Sequence, residues 1–254
     1  MEERLHSIID RFAEVEQSLN DPNTVNSPAL LREASREYKS LLPIVTAGRE
    51  YLDVVEQVRS NRALIDDAST DADLRDMAYE ALLPVASEDP ESLRKLWTTI
   101  PPADRVSPGV AAIAANAFMK IGRQQDAADI VEKALAVQWD ARLLRAYRNC
   151  AAPEGSATLL AQIEHGEHWS RERPNDAELA LVLGVLCVRQ KLWGKAQRYL
   201  EQALAGNVDR AIAQEAHLRL AQMHETLNQV EAAATHYRQC ALTTARGNVH
   251  RSSP

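Results

Sequence analysis

The sequence predicts an all-α protein in which a small helical hairpin or bundle precedes an array of helix pairs. Residues that favour helices dominate a chain of 254 residues, which contains 9 Gly and 2 Phe and gives little support to a β-sheet. Small residues also recur at a regular spacing: Ala127, Ala196 and Ala233 lie 69 and 37 positions apart. The first gap corresponds to two periods of a repeat and the second to one. We therefore expect helices throughout the chain.

The first 84 residues contain four segments with apolar residues at helical spacing. The first helix covers residues 3–20 and ends at Asp21-Pro22-Asn23, since proline cannot continue the helical hydrogen bonds. Ser27-Pro28 begins a second helix, Pro43 a third, and Thr70 to Asp73 a fourth. The predicted buried residues are Leu5, Ile8, Ile9, Phe12, Val15 and Leu19, then Leu31, Ala34, Tyr38 and Leu41, then Ile44, Val45, Leu52, Val55 and Val58, and finally Leu74, Met77, Ala78 and Leu82.

The segment from Leu181 to Leu204 is the clearest copy of a repeated helix pair. Gly184 lies where two helices approach closely, Ala196 follows twelve residues later, and Leu200 and Ala203 mark the next helical turns. This pattern resembles the tetratricopeptide repeat, whose period is about 34 residues. We predict an N-terminal domain over 1–84, a repeat domain over 85–246 and a disordered tail over 247–254. The repeats are expected near 108–142, 143–176, 177–213 and 214–246, and the second is degenerate.

Charge and composition narrow the class of protein. Residues 1–84 hold 17 acidic and 9 basic side chains, so this part should not bind nucleic acid. The longest apolar run, Leu179 to Val188, is about half of a bilayer span, and we therefore expect a soluble cytoplasmic chain without a membrane span. Cys150, Cys187 and Cys240 are too scattered for a disulfide framework and should be buried apolar residues in a reducing compartment.

Several segments of the first 83 residues resemble the N-terminal helical domain of bacterial class I peptide-chain release factors. They are Leu19–Val25, Ser35–Tyr38, Leu42–Val45, Arg49–Tyr51 and Asp73–Ala78. The resemblance implies a helical arm of the kind that contacts the ribosomal stalk base and the methyltransferase that modifies the factor. In that family peptide release requires a Gly-Gly-Gln motif, and no two glycines are adjacent in this chain. We therefore expect no release activity.

Residues of about 88–245 resemble the C-terminal repeat region of the proteobacterial HemY family. The similar segments are Gln138–Asp140, Leu143–Tyr147, Glu172–Asp176, Leu183–Cys187 and Leu192–Ala196. That family consists of inner-membrane proteins linked to haem synthesis, and the resemblance implies a scaffold. Because the two resemblances are unrelated, our preferred interpretation is a fusion of two helical fragments, natural or engineered. Residues 85–254 should then fold on their own.

The repeat register places a concave groove along the first helix of each repeat, where we expect a protein or peptide partner. Asn116 would suit a clamp for a peptide carboxylate, but Ala112 occupies the position where such a clamp has a lysine. The alternative for Leu181 and Val185 is that they pack against a neighbouring repeat. The predicted groove residues are Asn116, Met119, Lys120, Leu181, Val185, Arg189, Leu218, Gln222 and Glu225.

We predict no catalytic residue, cofactor or metal site, since no phosphate loop, activated nucleophile or carboxylate pair is evident. The Glu164–His168 segment has the residue types of a metal or haem site, but ordinary surface residues are favoured because no third ligand is near. His217 and His224 are expected in the core, and the four tryptophans should pack at helix ends. The preferred function is an interaction scaffold. Haem or porphyrin carriage is the alternative, and a chain without a selected function is a third interpretation.

Overall fold

The structure, a computed structural model, describes residues 1–67, 69–206 and 208–248, and all regular secondary structure in these ranges is helical. The all-α prediction is confirmed. None of the described helices is long and apolar enough to cross a bilayer. The helices are α1 (Glu2–Leu19), α2 (Pro22–Val25), α3 (Pro28–Asp66), α4 (Ala72–Ala86), α5 (Pro90–Thr99), α6 (Pro102–Arg105), α7 (Pro108–Lys120), α8 (Gln124–Val137), α9 (Ala141–Asn149), α10 (Ala157–Glu172), α11 (Ala177–Arg189), α12 (Trp193–Ala203), α13 (Arg210–Thr226) and α14 (Val230–Asn248).

The chain divides into two compact units, Met1–Asp71 and Ala72–Pro254. The first unit is a helical hairpin in which α1 packs antiparallel to α3. Phe12 stacks on Tyr38 with 4.9 Å between ring centroids, and Phe12, Val15, Ala34 and Val45 are buried. The short helix α2 forms the turn, and the Asp21 side chain caps it by accepting the backbone N–H of Asn23.

The predicted helix start at Pro43 is wrong, because α3 runs unbroken from Pro28 to Asp66. Pro43 removes the donor that would bond the Lys39 carbonyl. Pro43 and Lys39 are both exposed, so water can reach that carbonyl, while Val45 holds the following turn against α1. Ile44, predicted to be buried, is 47% exposed.

In the described part of the second unit the helices follow one another in five pairs along the chain, α4/α5, α7/α8, α9/α10, α11/α12 and α13/α14. In the third of these, α9 packs mainly on α7, α8 and α11, and α10 packs mainly on α11. The first helices pack side by side, α4 on α7, α7 on α9, α9 on α11 and α11 on α13, and we call them the first-helix layer. The second helices carry the recurrent small residues Ala127, Ala196 and Ala233, and all three are buried as expected. Small side chains therefore lie where the helices approach closely.

Helix α4 opens the array instead of closing the arm. Its buried residues Tyr79, Leu82 and Leu83 lie on the side that packs on α7, and the helix continues through Pro84 to Ala86. Leu74 and Met77, predicted to be buried, are 46% and 64% exposed. The structural division at Asp71 therefore precedes the sequence boundary at 84, because contacts between helices decide the first and a change in composition suggested the second.

The degenerate second repeat has a short first helix followed by an irregular segment. Ala151 and Ala152 are buried there without helical hydrogen bonds of their own. The buried Gln162 amide supplies partners, accepting from the Ala152 N–H at 2.8 Å and donating to the Cys150 carbonyl at 3.1 Å. A single side chain thus satisfies a buried segment of backbone.

The structure differs in part from the prediction that residues 247–254 form a disordered tail. Helix α14 extends to Asn248, so the first two residues of that range are helical. Residues 249–254 lie outside the described part of the chain.

Gly184 should be sensitive to any added side chain. A Cβ there would lie 2.6 Å from Leu200 Cγ, whereas a Cβ at Gly194 would meet nothing within 4 Å. We expect Gly184→Ala to destabilise the protein by about 1–3 kcal/mol through overpacking. Gly194→Ala, the matched control, should be neutral or stabilise by up to about 1 kcal/mol. Urea unfolding followed by circular dichroism measures both, and equal effects would contradict this packing.

Removing α4 should damage the array. A fragment of residues 72–254 retains the contact between α4 and α7, but a fragment of residues 85–254 loses Tyr79, Leu82 and Leu83 from the core. Since loss of a single buried leucine side chain costs about 2–5 kcal/mol, we expect the shorter fragment to be less stable by at least that amount. Equal urea midpoints for the two fragments would show that the array begins after α4.

Candidate functional site

The predicted groove residues lie on three helices of the first-helix layer, α7, α11 and α13. Asn116, Lys120, Arg189, Gln222 and Glu225 are exposed to solvent. Met119, Val185 and Leu218 are half-buried, so part of each side chain remains accessible. Eight of the nine predicted residues therefore have a side chain that a partner can reach.

Leu181 is the exception and corrects the prediction. It is 2% exposed and lies within an almost continuously buried stretch of α11, from Glu178 to Gly184. Because α11 is flanked by α9, α10, α12 and α13, most of its surface is covered by other helices. Leu181 thus packs inside the array, which was the alternative left open for it. Ala112, at 8% exposure, is buried as well.

The arginines of α9 were missed in the sequence. Arg142, Arg145 and Arg148 recur every three residues, and the buried residues Leu143, Leu144 and Tyr147 lie between or beside them. This spacing indicates a charged helix face. Because the second repeat is degenerate, its sequence could not be aligned with the other repeats, and the arginines could not be assigned to the groove. Helix α9 packs on both α7 and α11, so it occupies the centre of the first-helix layer.

Arg145 is held in place by a buried carboxylate. Its Nε donates to Glu178 Oε2 at 3.3 Å, and its side chain remains 53% exposed while that of Glu178 is 7% exposed. Burial raises the pKa of the Glu178 carboxyl, and the charges of Arg145 and Arg148 act against this rise. The pair links α9 to α11 and leaves part of the guanidinium accessible.

The charges of the layer are not uniform. Lys120 on α7, Arg145 and Arg148 on α9, and Arg189 on α11 form what we call the basic band. Helix α4 instead carries Asp73, Asp76 and Glu80, and the Asp76 carboxylate accepts a hydrogen bond from the Ser107 hydroxyl. At the other end, Glu225 of α13 accepts from the Tyr237 hydroxyl at 2.7 Å. The charged side chains of α7 and α9 are therefore all basic, whereas those of α4 are mainly acidic and those of α13 are of both signs.

The side chains of the Glu164–His168 segment engage separate partners. His165 contacts Glu132 at 3.2 Å and the Trp169 ring, while Glu167 accepts hydrogen bonds from Lys195 and Tyr199. His168 lies 3.6 Å from Glu172 on the surface. Within the described ranges, no group of three or more possible ligands is arranged to hold a metal ion.

The three cysteines form no disulfide in the described part of the chain, and they lie in two different environments. Cys150 and Cys187 are buried, and burial raises the pKa of each thiol to about 12. Both side chains are therefore protonated at neutral pH and unreactive as nucleophiles. Cys240 is half-buried.

The predicted core histidines are confirmed for His224, which is 7% exposed, while His217 is half-buried. Both approach His236 of α14, a residue that the sequence gave no reason to single out. The contact joins residues of two different helices, and no sequence pattern around His236 indicates it.

Comparison with known proteins supports the release-factor resemblance of the N-terminal part. A family model described as the PCRF domain matches residues 8–121. Peptide chain release factor 1 of Bacillus subtilis (strain 168) is 33% identical over 104 residues, which are 41% of this chain and 29% of that protein. The same factor of Campylobacter concisus (strain 13826) is 34% identical over 80 residues, 32% of this chain and 21% of that protein. The chain thus spans less than a third of the length of these relatives.

The family match extends further than the resemblance read from the sequence, which ended near residue 83. It continues through α4 and α5 and ends just after α7. Among solved structures, MamA MSR-1 C2 aligns with a TM-score of 0.41 at 14% identity, covering 68% of this chain and 99% of that chain. The resemblance of the later residues to the HemY family stays a prediction.

Proposed function

We propose that this chain is a non-enzymatic interaction scaffold and that its first-helix layer binds a protein or peptide. The observation that carries the proposal is the side-by-side packing of the first helices of successive pairs. Exposed side chains on adjacent first helices can then contact one extended partner, as in other helical repeat arrays. The groove residues Asn116, Lys120, Arg189, Gln222 and Glu225 have the exposure that such a surface requires.

An acidic segment is the partner that fits the middle of this surface. The basic band provides positive charges on three adjacent helices, and electrostatic complementarity favours the encounter and orientation of an acidic partner. The contact with Glu178 restrains Arg145 before binding, which reduces the entropy lost when a partner is bound. Met119 and Val185 offer apolar contacts beside the charges.

We infer that the similarity to release factors is a structural relationship without peptide release. The sequence lacks the Gly-Gly-Gln motif that the release-factor family requires. We retain a fusion of two fragments as the proposed origin, but the family match through residue 121 argues against a join near residue 84. If two fragments were joined, the join lies later in the array.

Charge reversal tests the groove. An acidic peptide is first selected by phage display on the purified protein. Lys120→Glu and Arg189→Glu should each lower the affinity for this peptide by roughly tenfold, or about 1.4 kcal/mol. Lys133→Glu on the second helix α8 is the matched control, since Lys133 is also exposed but lies outside the first-helix layer. Fluorescence anisotropy measures the affinities. Unchanged binding to the two groove variants, or an equal loss with Lys133→Glu, would move the site elsewhere.

Titration with hemin separates the scaffold from the alternative of haem or porphyrin carriage, which rests on the HemY resemblance. His165 and His168 are the side chains that a carrier would use, and both already contact carboxylates. The scaffold proposal predicts no saturable Soret shift that depends on these residues. A saturable shift that His165→Ala or His168→Ala abolishes would instead favour the carrier.

A further inference from the structure

Three histidine rings meet between the last two described helices of the array. His217 and His224 lie two turns apart on α13, and His236 of α14 is adjacent to both. The Nδ1 atoms of His217 and His236 are 3.1 Å apart, with 5.4 Å between ring centroids. The His224 ring stacks on the His236 ring, with centroids 5.5 Å apart and an interplanar angle of 7°.

The contact between His217 and His236 works in one protonation pattern. Two Nδ1 atoms at hydrogen-bond distance require one ring to donate its N–H and the other to accept it. When both rings are protonated, both Nδ1 atoms carry hydrogen, so the hydrogen bond is lost and two cations face each other. The third ring, His224, contacts the Gln229 amide oxygen through Nδ1 and stacks on the His236 ring.

The neighbouring helices give little compensation for these positive charges. Glu201 of α12 favours a protonated His236, but it acts against burial and against both neighbouring histidines. On the flanks, Glu215 is paired with Arg219 and Glu225 with Tyr237. On α11, Glu178 is engaged by Arg145, and Arg189 is exposed. Cys240, one turn beyond His236 on α14, is half-buried.

The direction of the pH effect follows from these surroundings. Burial lowers the pKa of His217, and burial together with His217 and His224 lowers the pKa of His236. The unfolded chain therefore binds more protons than the folded chain as the pH falls through the ordinary histidine value of about 6.5. Stability is present above that value and is lost in acid.

We propose that His217, His224 and His236 form a proton-sensitive latch, which holds α14 on α13 at neutral pH and releases it in mild acid. Helix α14 is the last described element and packs mainly on α13, so it can open without breaking the earlier helix pairs. Opening exposes Leu220, Met223 and Ala233, which are buried in the closed state. The latch does not depend on the binding function proposed for the first-helix layer.

Hydrogen exchange of the full chain, followed by mass spectrometry at about pH 7.5 and about pH 5.5, tests the latch on both sides of the histidine pKa. After correction for the intrinsic pH dependence of exchange, we expect opening of the α13–α14 segment to rise several-fold in acid. The α7–α8 segment should change little. An equal response in all segments, or no response in α14, would overturn the proposal.

Variants isolate the histidines. His236→Gln keeps a polar side chain without a titrating ring and should remove most of the acid response, as should His217→Gln if the first variant does not fold. His168→Gln is the control, because His168 is an exposed histidine on α10; it should respond like the unsubstituted protein. A full acid response in both cluster variants would refute the latch. A proton NMR titration of the unsubstituted protein is independent of folding of the variants, and it must find His236 titrating below about 6.5.

Discussion

The array depends on the close approach of neighbouring helices, above all within the pairs α7/α8, α11/α12 and α13/α14. Gly184 of α11 has no side chain where Leu200 of the next helix fills the space, and the second helices carry the buried small residues Ala127, Ala196 and Ala233. Short distances between helices let the large residues beside them, such as Leu183 and Leu186, become completely buried. Dispersion contacts of this kind are individually weak and collectively large, and they require a dense core.

Where the repeat pattern degenerates, polar contacts replace small residues as the means of holding the helices. Trp139 Nε1 donates to Asp176 Oδ2 at 2.8 Å, and the same carboxylate caps α11 by accepting the Leu179 N–H. Trp169 contacts Trp139 and Tyr147 edge to face, so the predicted packing role of these tryptophans agrees with the structure. The Gln162 side chain also forms hydrogen bonds with the backbone of the irregular segment. These contacts hold the repeat in the array although it lacks the usual sequence signature.

Sequence periodicity predicted the features that depend on residues near in sequence. It failed for the features that depend on which other helix a residue contacts. The helix end before Asp21, the helix start at Ser27-Pro28 and the small residues of the repeat were predicted, because short-range rules govern them. Pro43 was misread, since burial of Val45 outweighs one missing hydrogen bond. The buried face of α4 was predicted only in part, since Ala78 and Leu82 are buried but Leu74 and Met77 are exposed. An amphipathic helix does not reveal which neighbour covers it. Arg145 was missed because its role depends on Glu178, which lies on another helix.

The contacts in different parts of the array differ in their dependence on pH. In the middle, Gln162 joins buried backbone through neutral groups, and its hydrogen bonds do not change between neutral pH and mild acid. At the end, the interface of α13 and α14 includes rings that gain charge in the same range. Because each helix pair is stabilised mainly by its immediate neighbours and α14 packs mainly on α13 among the described helices, few described interfaces oppose that charge. Acid therefore acts first where the array is least supported, and the first helices from α4 to α11 can keep their arrangement while α14 opens.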